Sequence, residues 1–217
     1  QIARPRAAAQ ASSLLPPPSP AAFVLLYAPG ETRRLPGHRY RIQHTEAAIG
    51  RDPGNDVDLS SDTVSGHHAR VSPGSGAWHL RDLNSTNGTW VNQTLVHEQT
   101  LRHGDTIRCG RALLRFLCGP STEQAYRETV QALATTEPRT QLANAARFSS
   151  LLTVEADRHR VRGSMLSLVL FSIDDFPSFL TAQGDLAGDD ALGHVARVLQ
   201  QSTTPAAWEL LALLDDQ

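Results

Sequence analysis

Four short clusters of glycine and polar residues have the composition of a binding site for an anion. Gly50 permits a sharp turn, after which the guanidinium of Arg51 offers a planar set of donors suited to a phosphate dianion. Ser65 can add a hydroxyl and a main-chain N–H, and an Asn-Gly turn leaves the amide of Asn87 free to bind the main chain of an extended peptide. Each feature alone is usually a solvated charge or a turn, so the prediction depends on their combination. The clusters are Ile49-Gly50-Arg51, Ser65-Gly66-His67-His68, Asn84 to Gly88, and His103-Gly104-Asp105.

Short β-rich runs separate these clusters, which therefore fall in loops. Pro-Gly, Asn-Gly and Gly-Asp pairs punctuate the runs, a pattern typical of a β-sandwich. The runs are 23–27, 40–44, 47–49, 57–59, 69–71, 78–80, 89–91, 106–109 and 113–117.

A change of periodicity at Gly119-Pro120 indicates a connecting helix within residues 119–136. Ser121 to Gln124 has the form of a capping box, and Tyr126, Val130 and Leu133 share one helical face. That face predicts either a homodimer seam or packing against the sandwich.

The remaining residues predict an α/β region. Asn144 can cap a helix, and Met165 to Ile173 is an apolar run of the kind found in a strand buried on both faces. Helices are expected at about 175–183 and 188–200.

Composition and charge limit the classes of function. The 217 residues carry 20 basic and 22 acidic side chains, which excludes a nucleic-acid-coating protein, and no apolar run approaches the length of a membrane span. All basic residues are arginine, so P-loop and Schiff-base mechanisms have no lysine to use. Of the arginines, 13 precede residue 121 against 9 acidic residues, so an anionic ligand would favour the first half.

Two further features concern location and chain ends. Cys109 and Cys118 cannot form a disulfide framework and no secretory signal is visible, so we expect a cytoplasmic protein. Residues 1–22 are rich in Ala, Pro and Ser and predict a disordered arm. The sequence also lacks an initiator methionine, which suggests a fragment or a trimmed chain.

The order G-R, S-x-x-H, N-G and L-x-x-G-D resembles that of the forkhead-associated (FHA) domain over about residues 23–118. The resemblance implies an all-β sandwich of about 11 strands that binds phosphothreonine peptides. It assigns phosphate binding to Arg51 and Ser65, with Thr86 beside them, and peptide main-chain binding to Asn87. Structural roles fall to Gly50, His68 and Gly88. Gly66 belongs to the binding loop, but the family often has a polar or basic residue there and at Thr63, so weaker phosphate binding is expected.

Residues 137–217 resemble a partial GGDEF domain, the family that makes cyclic di-GMP from GTP. Glu137 to Asn144 is similar to its D-x-L-T-x-L-x-N entry, Ser172 to Phe176 to D-I-D-x-F, and Gly184 to Asp189 to G-x-x-x-G-D. The departures predict an inactive, degenerate site. Ser172 replaces the magnesium-binding Asp, leaving Asp174 as the second acid of that motif, and Leu180 replaces the guanine-reading Asn. Asp189 retains a guanine contact, and Glu209 is the nearest match to the missing GGDEF hairpin.

These resemblances imply a multidomain bacterial signalling adaptor that binds a Thr-phosphorylated protein. We expect no catalytic residue and no cofactor. A metal site at His67 and His68 is not expected either, since adjacent strand residues point to opposite faces. Nucleic-acid and membrane partners are not expected. One alternative is an FHA-regulated diguanylate cyclase. Another is a receptor for GTP or cyclic di-GMP that uses Asp189 without turnover.

Overall fold

The computed structural model describes residues 19–30, 33–42, 46–74, 76–202 and 212–213. Within these ranges lie eleven strands and four helices. The strands are β1 (Ala21–Tyr27), β2 (Arg39–Ile42), β3 (Ala47–Gly50), β4 (Val57–Asp58), β5 (Ala69–Gly74), β6 (Ala77–Asp82), β7 (Thr89–Val91), β8 (Thr94–Val96), β9 (Glu98–Leu101), β10 (Thr106–Cys109) and β11 (Ala112–Cys118). The helices are α1 (Thr122–Leu133), α2 (Ala145–Arg162), α3 (Phe176–Gln183) and α4 (Asp185–Ser202).

The described strands form two packed sheets, in the orders β2-β1-β11-β10-β7-β8 and β4-β3-β5-β6-β9. This confirms the predicted sandwich of about 11 strands. Neighbouring strands pair antiparallel except β3 and β4, which run parallel. The sheets enclose a core of fully buried apolar side chains, in which Phe23 of β1 pairs in register with Phe116 of β11 and their rings lie 5.3 Å apart.

The predicted arm 1–22 extends too far, because Ala21 and Ala22 belong to β1. Both residues are buried and pair with Cys118 and Leu117 of β11. Pairing with β11 therefore orders the last two residues of the predicted arm, although the arm as a whole has few large apolar side chains. Of the remaining residues, Ser19 and Pro20 are exposed, and residues 1–18 lie outside the described part of the chain.

Helix α1 packs against the sandwich through its apolar face. The Tyr126 hydroxyl donates to the Gly37 carbonyl at 3.1 Å, and the guanidinium of Arg39 lies 5.0 Å from the centre of the Tyr126 ring. Val130 approaches Gly37. Of the two predicted uses of this face, the structure therefore favours packing within the chain. Ser121 is the N-cap of α1, but its side chain makes no capping hydrogen bond.

Helices α2, α3 and α4 follow at the predicted places, but the predicted strand Met165–Ile173 is wrong. The Asn144 side chain accepts a hydrogen bond from the Arg147 N–H and so caps α2 as expected. Residues 164–173 contain no strand, and Met165 is 92 % exposed. An apolar run predicts that side chains are buried, but it does not identify a strand that could pair with it. No described strand pairs with this segment. No helix in the described part of the chain is long and apolar enough to cross a bilayer.

Candidate functional site

Three loops of the sandwich contact one another and carry the predicted phosphate-binding residues. They connect β3 to β4 (51–56), β4 to β5 (59–68) and β6 to β7 (83–88). The main-chain N–H of Arg51 donates to the Ser65 carbonyl at 3.0 Å, and the Thr86 N–H donates to Ser65 Oγ at 3.0 Å. The structure therefore brings Arg51, Ser65 and Thr86 together, as the sequence predicts.

The Arg51 side chain is exposed at a point where the β3–β4 loop lies close against the β4–β5 loop. Gly50 lies directly against the Gly66 carbonyl, and a Cβ at Gly50 would overlap that oxygen. The close approach holds the first loop against the second. Arg51 is exposed, and among the described residues none forms an ion pair with it. Its guanidinium is therefore available to an anionic ligand.

Because Gly50 has no room for a side chain, we predict that Gly50→Ala destabilises the sandwich by about 1–3 kcal/mol, the usual cost of overpacking. The loops must separate to admit the methyl group, which also displaces Arg51. Gly54 is the matched control, since nothing lies within 4 Å of a Cβ built there. Urea unfolding followed by tryptophan fluorescence measures both variants. Equal stability of the two variants would contradict the prediction.

Ser65 lies at the centre of the loops. Its main-chain N–H donates to His68 Nδ1 at 3.1 Å, and its hydroxyl lies 3.4 Å from Thr86 Oγ1. The side chain is half-buried and that of Thr86 is exposed. The two hydroxyls therefore lie next to each other, on a residue pair that the main chain of Arg51 contacts through Ser65. Gly66 packs against the Asp52 carboxylate, since a Cβ on Gly66 would lie 2.6 Å from Asp52 Oδ2.

Asn87 is held by the loop that carries Ser65. Its Nδ2 donates to the Thr63 carbonyl at 2.7 Å, which uses one of two N–H donors and leaves the amide oxygen available. Gly88 follows with a φ of 71°, a conformation that favours glycine, and a Cβ there would contact Leu95. The half-buried Asn87 is therefore oriented before any peptide binds.

His68 is a buried support for these loops. Its Nδ1 accepts from Ser65, so the proton lies on Nε2, which faces the Gly88 carbonyl at 3.2 Å. Burial lowers the pKa of His68, against the opposing effects of the Gly88 carbonyl and the Asp82 charge. The neutral ring therefore links the second loop to the third, which fits its predicted structural role.

The lowered pKa of His68 predicts that the sandwich loses stability as the pH falls below about 6.5, the ordinary value for histidine. The unfolded chain takes up a proton that the folded chain resists, so unfolding becomes easier, by at most about 1.4 kcal/mol per pH unit for one proton. Urea unfolding between pH 7.5 and 5 measures this. His68→Gln should reduce the dependence, whereas His97→Gln, at an exposed site, should retain it. The same dependence in both variants would contradict the assignment.

Two supporting residues were not predicted. Asp82 accepts hydrogen bonds from the Ser85 and Thr89 hydroxyls, both at 2.6 Å, and so fixes the β6–β7 loop. Although burial acts to raise the pKa of Asp82, these hydrogen bonds lower it. Asn55 donates to the Gly66 carbonyl at 2.8 Å and joins the first loop to the second. An Asp three residues before a Ser, as at Asp82, is a turn signal that could have identified this support.

The residues predicted for the degenerate cyclase site lie in different elements of the second half of the chain. Ser172 and Asp174 are exposed in the segment before α3, whereas Leu180 packs against Gly188 on α4. Asp189 is nearly buried in an ion-pair network, and Glu209 lies outside the described residues.

Two side chains bear on whether this region could hold a catalytic magnesium ion. Ser172 offers a neutral hydroxyl at the position where the resemblance implies a metal-binding carboxylate. The carboxylate of Asp175 accepts a hydrogen bond from Ser178 Oγ at 2.6 Å. Within the described ranges no group of three His, Cys, Asp or Glu side chains could hold a metal ion.

Asp189 instead joins the two halves of the chain. Its carboxylate contacts Arg111 Nε at 2.5 Å and Arg139 Nη1 at 3.0 Å. Arg111 belongs to the sandwich and also contacts Asp185, at 2.5 Å. Burial acts to lower the pKa of both arginines, but the neighbouring carboxylates raise it. Sequence reasoning did not predict this network.

Comparison with known proteins identifies both regions. The sequence model of the FHA domain matches residues 47–110, and that of the diguanylate cyclase GGDEF domain matches residues 134–212. The chain is 34% identical over 89 residues to the glycogen accumulation regulator GarA of Mycolicibacterium smegmatis, covering 41% of this chain and 56% of that protein. It is 31% identical over 114 residues to the oxoglutarate dehydrogenase inhibitor of Corynebacterium diphtheriae, covering 52% and 76%.

Solved structures also match the sandwich. A structure of Mycobacterium tuberculosis EmbR in complex with a low-affinity phosphopeptide is 28% identical, covers 46% of this chain and 25% of that one, and has a TM-score of 0.41. A structure from an analysis of phosphothreonine-dependent FHA domain interactions is 29% identical, covers 47% and 99%, and has a TM-score of 0.41. The chain spans little more than half the length of the mycobacterial relative.

Proposed function

Because the chain belongs to the FHA family and carries a GGDEF domain after its FHA domain, we propose that it is a signalling adaptor that docks onto a Thr-phosphorylated protein. One observation supports the proposal: the three loops that carry the exposed Arg51, the Ser65 hydroxyl and the Asn87 amide contact one another through direct hydrogen bonds.

The proposed recognition is electrostatic and geometric. A phosphothreonine adds about −1.5 to −2 charges and three acceptor oxygens. Arg51 supplies a full positive charge and a forked set of donors, Ser65 supplies a hydroxyl, and Thr86 contributes beside them. The free amide atoms of Asn87 bind the peptide main chain next to the phosphorylated residue. An unphosphorylated threonine lacks the charge, so it gains little at this surface.

The names of relatives support an adaptor. GarA is named as a regulator of glycogen accumulation, and the corynebacterial relative as an inhibitor of oxoglutarate dehydrogenase. Both names describe proteins that act on other proteins or processes. We extend that regulatory character to this chain, whose partner is a phosphorylated protein.

Titration of the full chain with matched peptides tests this function. A pool with a fixed phosphothreonine and mixed flanking residues should bind, whereas the same pool with unphosphorylated threonine should not. A phosphoserine pool separates recognition of the phosphate alone from recognition of the threonine methyl group. Equal binding of phosphorylated and unphosphorylated pools would reject the proposal.

The Asp52 carboxylate, which packs against Gly66, should oppose phosphate binding. We predict that Asp52→Asn tightens phosphothreonine peptide binding by about two- to fivefold at low ionic strength, an effect within the usual range for exposed charges. High salt should remove the gain, because exposed charges are screened. Asp157→Asn on α2 is the control for net charge. Unchanged affinity in Asp52→Asn at low salt would contradict the prediction.

For the GGDEF domain we propose an interaction role without cyclase activity. Ser172 in place of a metal-binding carboxylate supports this, because phosphoryl transfer depends on metal and charge placement. An assay for cyclic di-GMP with GTP and magnesium tests it, and product formation would favour the alternative of an FHA-regulated cyclase. Calorimetry with GTP and cyclic di-GMP tests nucleotide binding without turnover at Asp189.

We also propose a cytoplasmic location. Cys109 and Cys118 are free thiols, and burial raises the pKa of Cys109 to about 12, which keeps it protonated. Unpaired thiols of this kind are the rule in reducing compartments. Fractionation of cells that express the tagged chain tests the location.

A further inference from the structure

One turn of the sandwich contacts both the candidate peptide loops and the second domain. The turn Gly110–Arg111 joins β10 to β11. The Arg111 N–H donates to Thr63 Oγ1 at 3.0 Å, and a Cβ on Gly110 would overlap the Thr63 carbonyl. The Arg111 guanidinium pairs with Asp185 and Asp189 of α4. A single residue therefore holds the β4–β5 loop by its main chain and α4 by its side chain.

Thr63 extends this connection to the peptide-binding side chain. Its carbonyl accepts from Asn87 Nδ2 at 2.7 Å, while its hydroxyl accepts from Arg111 and lies 2.9 Å from Ser61 Oγ. A peptide that binds Asn87 thus binds a group already attached to Thr63. The path from Asn87 through Thr63 and Arg111 to α4 is continuous, with each step a direct hydrogen bond or ion pair.

We propose that the Gly110–Arg111 turn couples peptide binding at the loops to the docking of α4 on the sandwich. The peptide half of this inference rests on the proposed function. Docking of α4 fixes Arg111 and hence Thr63 and Asn87, so a peptide meets loops that are already ordered. By reciprocity, peptide binding strengthens the docking of α4 by the same factor. Phosphorylation of a partner would thereby be transmitted to the GGDEF domain.

The first experiment needs no peptide. Hydrogen exchange of the α4 amides is compared in the full chain, in Thr63→Val and in Thr63→Ser. Valine keeps the shape of threonine but removes the acceptor for the Arg111 N–H, whereas serine keeps the hydroxyl. We expect exchange in α4 to rise about fivefold or more in the valine variant and to stay near the original rate in the serine variant.

Two results would overturn the coupling. One is equal α4 exchange in all three proteins. The other is a rise in the valine variant that extends equally to β1 and β11, because this indicates general loosening of the sandwich rather than a specific link.

The second experiment uses the phosphothreonine peptide pool. The double variant Asp185→Asn with Asp189→Asn removes both carboxylates that hold Arg111. Its charge control is a second double variant, Asp157→Asn with Glu128→Gln, which removes two negative charges at exposed positions. We expect the Kd of the double variant to rise about fivefold or more while the control is unchanged. Equal affinities would contradict the coupling. If the unaltered chain does not bind the pool, the proposed function fails, and the Thr63 variants still decide whether the loops and α4 are coupled.

Discussion

Replacing Arg51 by alanine should weaken binding of a phosphothreonine peptide by about 2–5 kcal/mol, the range for removing one partner of a hydrogen-bonded charge pair. Arg51 is exposed, and no described residue pairs with it, so its charge is not already neutralised within the chain. The variant should fold normally, because Arg51 holds the loops through its main-chain N–H, which alanine retains.

Two further variants make this test specific. Arg51→Lys keeps the charge but loses the forked geometry, so it should recover only part of the affinity. Arg147→Ala on α2 changes the net charge equally without touching the loops, and should bind like the unaltered chain. Calorimetric titration measures all three. If Arg51→Ala binds as tightly as the unaltered chain, phosphate recognition at this surface is wrong.

Most strands of the sandwich could be predicted because their inward residues form short β-rich runs between turn signals. Strands β8 and β9 were not among those runs. Glu98, Gln99 and Thr100 are exposed, so β9 has no apolar alternation and forms because Trp78 to Arg81 of β6 offers a pairing edge. Such a strand depends on its neighbour, and its own residues do not reveal it.

The loop residues that face a ligand could be predicted more readily than those that support them. Arg51, Ser65 and Asn87 were identified by type and spacing. Asp82 and Asn55 act by binding main-chain and hydroxyl groups of other loops, and their chemistry is that of ordinary turn residues. Only the folded structure shows which turns they join.

The apolar segment Met165–Ile173 shows that composition can also predict a strand that the described part of the structure does not contain. Its composition is that of a buried strand, yet Leu170 is 79 % exposed and Phe171 is 62 % exposed. A strand requires a partner for its main-chain hydrogen bonds as well as apolar side chains. Composition measures only the second requirement, so it predicted a strand that is not formed among the described residues.

The contact between the two halves could not be predicted at residue level, although the charge distribution indicated its sign. Arginines predominate before residue 121 and acidic residues after it. In the structure Arg111 and Arg108 of the sandwich pair with Asp189 and Asp190 of α4. A charge imbalance predicts attraction between the two halves. Only the fold shows that Arg111 and Arg139 both contact the carboxylate of Asp189.

Because Arg111 and Arg139 both contact Asp189, removing its carboxylate should have a large effect. We predict that Asp189→Ala destabilises the packing of α4 by about 3–5 kcal/mol, the cost of breaking a buried ion pair by removing one partner. The side chains of Asp189 and Arg139 are only 11% and 9% exposed. Without the carboxylate, Arg111 retains Asp185 and Arg139 retains Glu137, but both guanidinium groups lose a partner in a poorly hydrated contact.

The adjacent Asp190 provides the control, because it differs mainly in burial. Its side chain is 60% exposed and pairs with Arg108 at 3.1 Å, so Asp190→Ala should cost no more than about 1 kcal/mol. Urea unfolding followed by far-ultraviolet circular dichroism, together with hydrogen exchange in α4, measures both variants. If neighbouring aspartates of the same helix gave equal losses, the stabilisation would come from the overall charge of α4. A large loss confined to Asp189→Ala would instead locate it in the carboxylate that Arg111 and Arg139 share, since that side chain is much less exposed than the side chain of Asp190.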